Sequence, residues 1–122
     1  MKAARLGLCL GLACLATSAL SFEWGSSQRE RAAISLSTAF GSAELCDQDI
    51  DADRAAAIIR KNFGDRLSPD QAARLMYQIV VYEAVQGAQI RKAPQNEIAA
   101  RCGEVRGLYG ARGTELPGLI KP

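Results

Sequence analysis

The chain of 122 residues contains no histidine. Without histidine, neither a Ser-His-Asp nor a Cys-His catalytic arrangement can form, and histidine-ligated zinc and c-type haem attachment are excluded as well. Hydrolysis by a carboxylate pair remains available. Glu83 is the candidate acid for this chemistry, because it lies among apolar residues of the most apolar predicted helix. No second carboxylate has a motif around it, so we predict that the protein is not an enzyme and needs no cofactor.

Long apolar runs are also missing. The longest, Leu6–Ala16, is about half of the roughly 20 residues that a transmembrane helix requires. It follows two basic residues and precedes the small residues Ala19 and Ser21, which is the order found in a cleavable secretory signal. We therefore predict a signal peptide over residues 1–21, and no stable membrane span after its cleavage.

Cysteine is scarce, and half of the cysteine residues lie in the predicted signal peptide. Of the four cysteines, Cys9 and Cys14 would be removed with that segment. A lipid anchor on Cys14 is the alternative, but Gly11 stands where lipidation sites usually carry leucine. The mature chain then keeps Cys46 and Cys102, and two cysteines in an oxidising compartment most simply form a disulfide. Their wide separation differs from the Cys-x-x-Cys spacing of redox-active pairs.

Excess charge of one sign is absent from the predicted mature chain. The full sequence has 15 basic and 13 acidic residues, and loss of Lys2 and Arg5 leaves 13 of each, so the formal charge falls from +2 to zero. Binding to nucleic acids or to anionic membrane surfaces relies on a basic field. We predict no nucleic-acid partner.

The remaining pattern is helical, and no segment shows the alternation typical of a strand. We predict an all-α fold: a small bundle of about four helices over residues 22–109 with one disulfide, followed by an irregular C-terminal tail over 110–122. The first helix begins at Ser27, which forms a capping box with Glu30. The second runs from about residue 51 to 63 and is closed by Gly64.

The third predicted helix has the clearest start signal. Ser68 supplies a capping hydroxyl, Pro69 a preset first helical residue and Gln71 a capping-box partner. Its apolar residues are Ala72, Leu75, Met76, Ile79 and Tyr82 on one face, which Val80, Val81 and Val85 widen until the helix is apolar nearly all round. Because such helices are usually buried on every side, we expect this one to be central.

A fourth helix is predicted after Pro94. One side of it carries Ile98, Cys102, Val105 and Tyr109. Cys46 follows the first helix, so a bridge to Cys102 would join the exit of the first helix to the fourth.

Alternating acids after the first helix suggest a cation site. They are Asp47, Asp49, Asp51 and Asp53. An EF-hand needs glycine at the sixth position and glutamate at the twelfth, and neither register supplies them. The alternative is that these acids cap the second helix and favour its positive end. We favour capping and keep a ligand or divalent-cation binder as an alternative function.

Apolar residues at both ends of the mature chain are candidates for partner binding. They are Phe22 and Trp24 at the N-terminus and Leu116, Leu119 and Ile120 in the tail. Trp is enriched among interface hot spots. The alternative for both segments is that they fold back and cover the core of their own chain.

These observations favour a small exported binding or accessory protein. The short signal and the absence of an Asn-x-Ser/Thr sequon favour the bacterial periplasm over secretion from a eukaryotic cell. We predict a function through contact with another envelope protein, of the chaperone, inhibitor or immunity, or assembly-subunit type. A small carboxylate-dependent hydrolase using Glu83 is the third hypothesis.

Overall fold

The computed structural model describes residues 22–122 and has four α-helices in that range. They are α1 (Ser27–Ala43), α2 (Ala52–Phe63), α3 (Pro69–Ile90) and α4 (Gln95–Tyr109). This part of the chain has no strand, and an isolated antiparallel bridge joins Ile50 to Ile120. The predicted all-α class is confirmed, whereas the predicted signal peptide with its two cysteines lies outside the described residues. None of the four helices combines the length and apolar content needed to span a bilayer.

Side-chain caps begin α1, α2 and α3, with a shift of one residue from the prediction at α1, whereas α4 begins after Pro94 without one. Ser68 Oγ accepts from the Gln71 N–H at 3.2 Å, and the Gln71 side chain accepts from the Ser68 N–H at 3.0 Å, which confirms the predicted capping box. At α1 the cap is Ser26 instead of Ser27, and its hydroxyl accepts from the Arg29 N–H at 3.2 Å. Neighbouring serines offer the same acceptor, so the sequence did not distinguish them.

The central helix is α1, which corrects our expectation for α3. The main helix-to-helix contacts all involve α1, against α3, α2 and α4. Its buried side is built largely from small residues: Ala32, Ala33, Ser35, Ser37, Ala39, Gly41 and Ser42. Because interaxial distance depends on the side chains at the contact, small residues allow several helices to pack on one.

The core includes both ends of the described chain as well as the helices. It consists of Trp24, Ala33, Leu36, Ala39, Ala55, Ile58, Leu75, Val105, Tyr109, Leu119 and Ile120. The tail is irregular, as predicted, but its last turn is fixed by backbone hydrogen bonds. The Ile120 N–H donates to the carbonyl of Tyr109 at 2.8 Å, and the Lys121 N–H donates to the carbonyl of Asp49 at 2.9 Å. The tail therefore connects the end of α4 to the loop before α2.

A disulfide joins Cys46 to Cys102, with 5.5 Å between the two Cα atoms. It links the turn after α1 to the middle of α4, which confirms the predicted pairing. The two cysteines are 56 residues apart, so the bridge encloses α2 and α3 in one covalent loop.

Removing this bridge by Cys46→Ser/Cys102→Ser should lower the free energy of unfolding by about 4 kcal/mol, the loop-entropy value for a closure of this length. Urea denaturation of the oxidised protein and the double variant measures the difference. Equal unfolding midpoints would show that the bridge does not stabilise the fold.

Gly41 allows α1 and α3 to approach closely. A Cβ atom at Gly41 would lie 2.5 Å from Cδ1 of Tyr82, whereas one at Gly103, on the exposed side of α4, would meet nothing within 4 Å. Gly41→Ala should therefore destabilise the protein by about 1–3 kcal/mol through overpacking.

Gly103→Ala is the matched control, because it makes the same chemical change in an open helical position. It should stabilise the protein by up to about 1 kcal/mol through helix propensity. Chemical denaturation compares the two variants, and equal stability of both would contradict the close approach at Gly41.

Candidate functional site

The most distinctive surface of the molecule is an apolar face along α3. Its residues recur at intervals of three and four, as one side of a helix requires. We call this surface the α3 face; it consists of Ala73, Met76, Tyr77, Val80, Val81, Ala84, Val85 and Ala88, all of them exposed. Met76 is 60% exposed and Val80 is 56% exposed. The large side chains of the α3 face are therefore not covered by their own chain.

The exposure of this face shows why α3 is not central. Leu75 is the buried residue of α3, and Ile79 and Tyr82 are half-buried on the same side, against α1. We predicted Met76 for this inward side, which is wrong. Because α2 and α4 pack on α1, the opposite side of α3 has no helix against it in the described chain. Contiguous exposed apolar residues mark interaction surfaces in soluble proteins.

None of the residues that make up the α3 face is charged. Between Arg74 and Glu83 the sequence of α3 has no charged residue. Asp70 lies in the first turn of the helix and Arg91 forms its C-cap. The guanidinium of Arg74 lies 5.0 Å from the ring centroid of Tyr77, close enough for a cation–π contact at the edge of the face.

The five residues predicted for partner binding pack within their own chain. Trp24 is 5% exposed, and its ring centroid lies 5.0 Å from that of Phe22 and 5.6 Å from that of Phe63. Leu119 and Ile120 are at most 1% exposed, and Leu116 is half-buried against the core. The structure thus shows the alternative we gave for both segments, in which they cover their own core. They do not form an exposed anchor in this conformation.

Leu119→Ala tests the packing of the tail. Removing a fully buried leucine side chain should cost about 2–5 kcal/mol of unfolding free energy. Lys121→Ala is the control, because this side chain is exposed and its backbone hydrogen bond is retained, so the change should stay within about 0.5 kcal/mol. Thermal or urea unfolding measures both, and a wild-type midpoint for Leu119→Ala would mean that the tail is peripheral.

The four aspartates predicted as a possible cation site lie at the start of α2 and in the loop before it. Asp51 Oδ1 accepts from the Arg54 N–H at 3.0 Å as the N-cap, and Asp53 lies in the first turn. Asp47 and Asp49 are exposed in the preceding loop. Among the described residues, no three His, Cys, Asp or Glu side chains come together in a way that could hold a metal ion. The cation-binding alternative therefore gains no support from the structure.

A cleft of about 500 Å³ opens on the other side of α3, between α1, α3 and α4. Its polar lining includes Tyr82, Arg101 and Glu104. Arg101 bridges the cleft by donating to the side-chain oxygens of Gln86 at 2.5 Å and Gln89 at 2.8 Å. Sequence reasoning did not find this cleft, because its lining comes from three helices without a local motif.

The cleft offers little chemistry of its own. Burial raises the pKa of the Tyr82 hydroxyl above 10.0, and the charges of Tyr109 and Glu104 act in the same direction, against Arg101. The phenol therefore stays neutral at physiological pH. Glu104 is the single carboxylate of the cleft lining, and Glu83 does not line it. The hydrolase hypothesis gains no support from this arrangement.

Comparison with protein families, curated proteins and solved structures finds no match. The function is therefore inferred from the geometry of this chain.

Proposed function

We propose that the protein is a non-enzymatic binding or accessory protein of the bacterial envelope, which acts through protein–protein contact on the α3 face. The export signal in the sequence supports a periplasmic location, and another envelope protein is the partner we expect. The observation that carries this proposal is the uncovered apolar side of α3, with Met76, Tyr77, Val80 and Val85 each about half exposed or more.

Burial of this face would provide substantial binding energy. Complete burial of a large apolar side chain is worth about 1.5–3 kcal/mol, and the large residues of the α3 face have roughly half of their surface left to bury. Several kcal/mol are therefore available before the costs of association are counted. Tyr and Met are also enriched in protein interfaces, where charged residues are depleted.

The contacts that fix α3 in the fold do not involve the residues of the α3 face. Inward residues of α3 pack against α1, and the disulfide joins the turn after α1 to α4. Substitutions on the outward face should therefore affect binding without unfolding the protein. This separation makes the proposal straightforward to test.

Val80→Glu places a charge in the centre of the α3 face. We expect it to abolish capture of the envelope partner, because docking would bury an unpaired carboxylate. The measurement is affinity capture of the exported protein from its native envelope after mild crosslinking.

The control is Ala99→Glu, which adds the same charge at an exposed position of α4. It should capture the same proteins as the wild type, with both variants retaining wild-type helicity and unfolding midpoints. If Val80→Glu also captures these proteins at wild-type yield, the α3 face is not the docking surface.

A further inference from the structure

We infer that the α3 face pairs with the same face of a second copy of the chain, with the two α3 helices antiparallel about a two-fold axis near Val81. The inference rests on the proposed function, because it names a protein that occupies the α3 face. Two independent asymmetries along α3, one of size and one of charge, point to this occupant.

The first asymmetry is in side-chain size. The N-terminal half of the α3 face carries Ala73 and the large residues Met76 and Tyr77, whereas the C-terminal half carries Val85 and the small residues Ala84 and Ala88. Antiparallel pairing places the large half of each copy against the small half of the other. Parallel pairing would set Tyr77 against Tyr77 and leave the small halves apart.

The second asymmetry is in charge. Asp70 lies in the first turn of α3 and Arg91 at its end, followed by Lys92, while the guanidinium of Arg74 lies against the ring of Tyr77 in its own chain. In the antiparallel pair, each Asp70 lies near the basic end of the second copy, and the two helix dipoles oppose each other favourably. A parallel pair would bring like charges together at both ends, which interfaces avoid.

The spacing along the face suits a long helix pair. Tyr77, Val81, Ala84 and Ala88 follow one another at alternating steps of four and three, which is the period of a two-helix seam. The 22 residues of α3 span about 33 Å at 1.5 Å per residue.

A single helix face is small beside the roughly 800 Å² per partner of a standard interface. We therefore expect a dissociation constant in the micromolar range. A dimer of this strength can release the α3 face to another envelope protein that presents a competing apolar surface.

Sedimentation of the exported protein from about 1 µM to 1 mM tests the dimer. We expect concentration-dependent dimerisation that Val80→Glu removes and Ala99→Glu leaves unchanged. Asp70→Lys and Arg91→Glu should each weaken dimerisation about tenfold, and the double variant should return to within about threefold of wild type. Recovery in the charge swap distinguishes pairing across the interface from a loss of helix stability. Failure of the double variant to recover would overturn the assigned charge contact.

Single cysteines on α3 test the orientation. The two copies of Val81→Cys would lie next to the axis and should crosslink under mild oxidation. The two copies of Ala73→Cys would be more than about 20 Å apart along the helices and should not. Crosslinking of Ala73→Cys in place of Val81→Cys would overturn the antiparallel arrangement.

The dimer and the proposed function can fail separately. If the wild type stays monomeric at 1 mM while Val80→Glu still loses its envelope partner, the second copy is excluded and the docking function stands. If dimerisation depends on Val80 and envelope capture does not, the second copy stands and the α3 face is not the docking surface for that partner. A monomer whose envelope capture is insensitive to Val80→Glu would overturn both.

Discussion

The packing of three helices on α1 is the constraint on which the rest of the structure depends. It is possible because α1 presents small side chains around most of its circumference. At Gly41 the absence of a side chain lets the ring of Tyr82 approach the backbone of α1. Since the other helices are arranged around α1, α3 needs only one stripe of its surface for the fold. Its remaining apolar residues are thereby left exposed.

A core built on small residues leaves volume to fill, and the two ends of the described chain fill it. Trp24 packs against Phe63 at the end of α2, while Leu119 and Ile120 are enclosed between the end of α4 and the loop before α2. Short helices alone would bury little apolar surface in a chain of this size. The disulfide adds a covalent link between the turn after α1 and α4. The irregular segments are therefore as much part of the fold as the helices.

Local chemistry made much of this structure predictable. The capping box at Ser68, the positive φ of 90° at Gly64 and the pairing of Cys46 with Cys102 follow from short-range patterns and from the number of cysteines. The position of α3 was not predictable in this way. A helix that is apolar nearly all round has the same sequence whether its second face meets its own chain or another protein. The cleft and the burial of the tail likewise depend on contacts between distant segments.

The arrangement of residues along the α3 face also explains how its exposure is tolerated. Exposed apolar surface favours association of any kind, so a stable protein must restrict which contacts it allows. Here Met76 and Tyr77 make the N-terminal half of the face the larger one, and Asp70 near its start and Arg91 at its end have opposite charges. Such a surface is selective for a helix whose side-chain sizes and charges are complementary along its length. A misaligned partner leaves gaps and places like charges together. The antiparallel copy of α3 that we infer is one helix with such an arrangement, and the proposed envelope partner would have to match the same pattern to replace it.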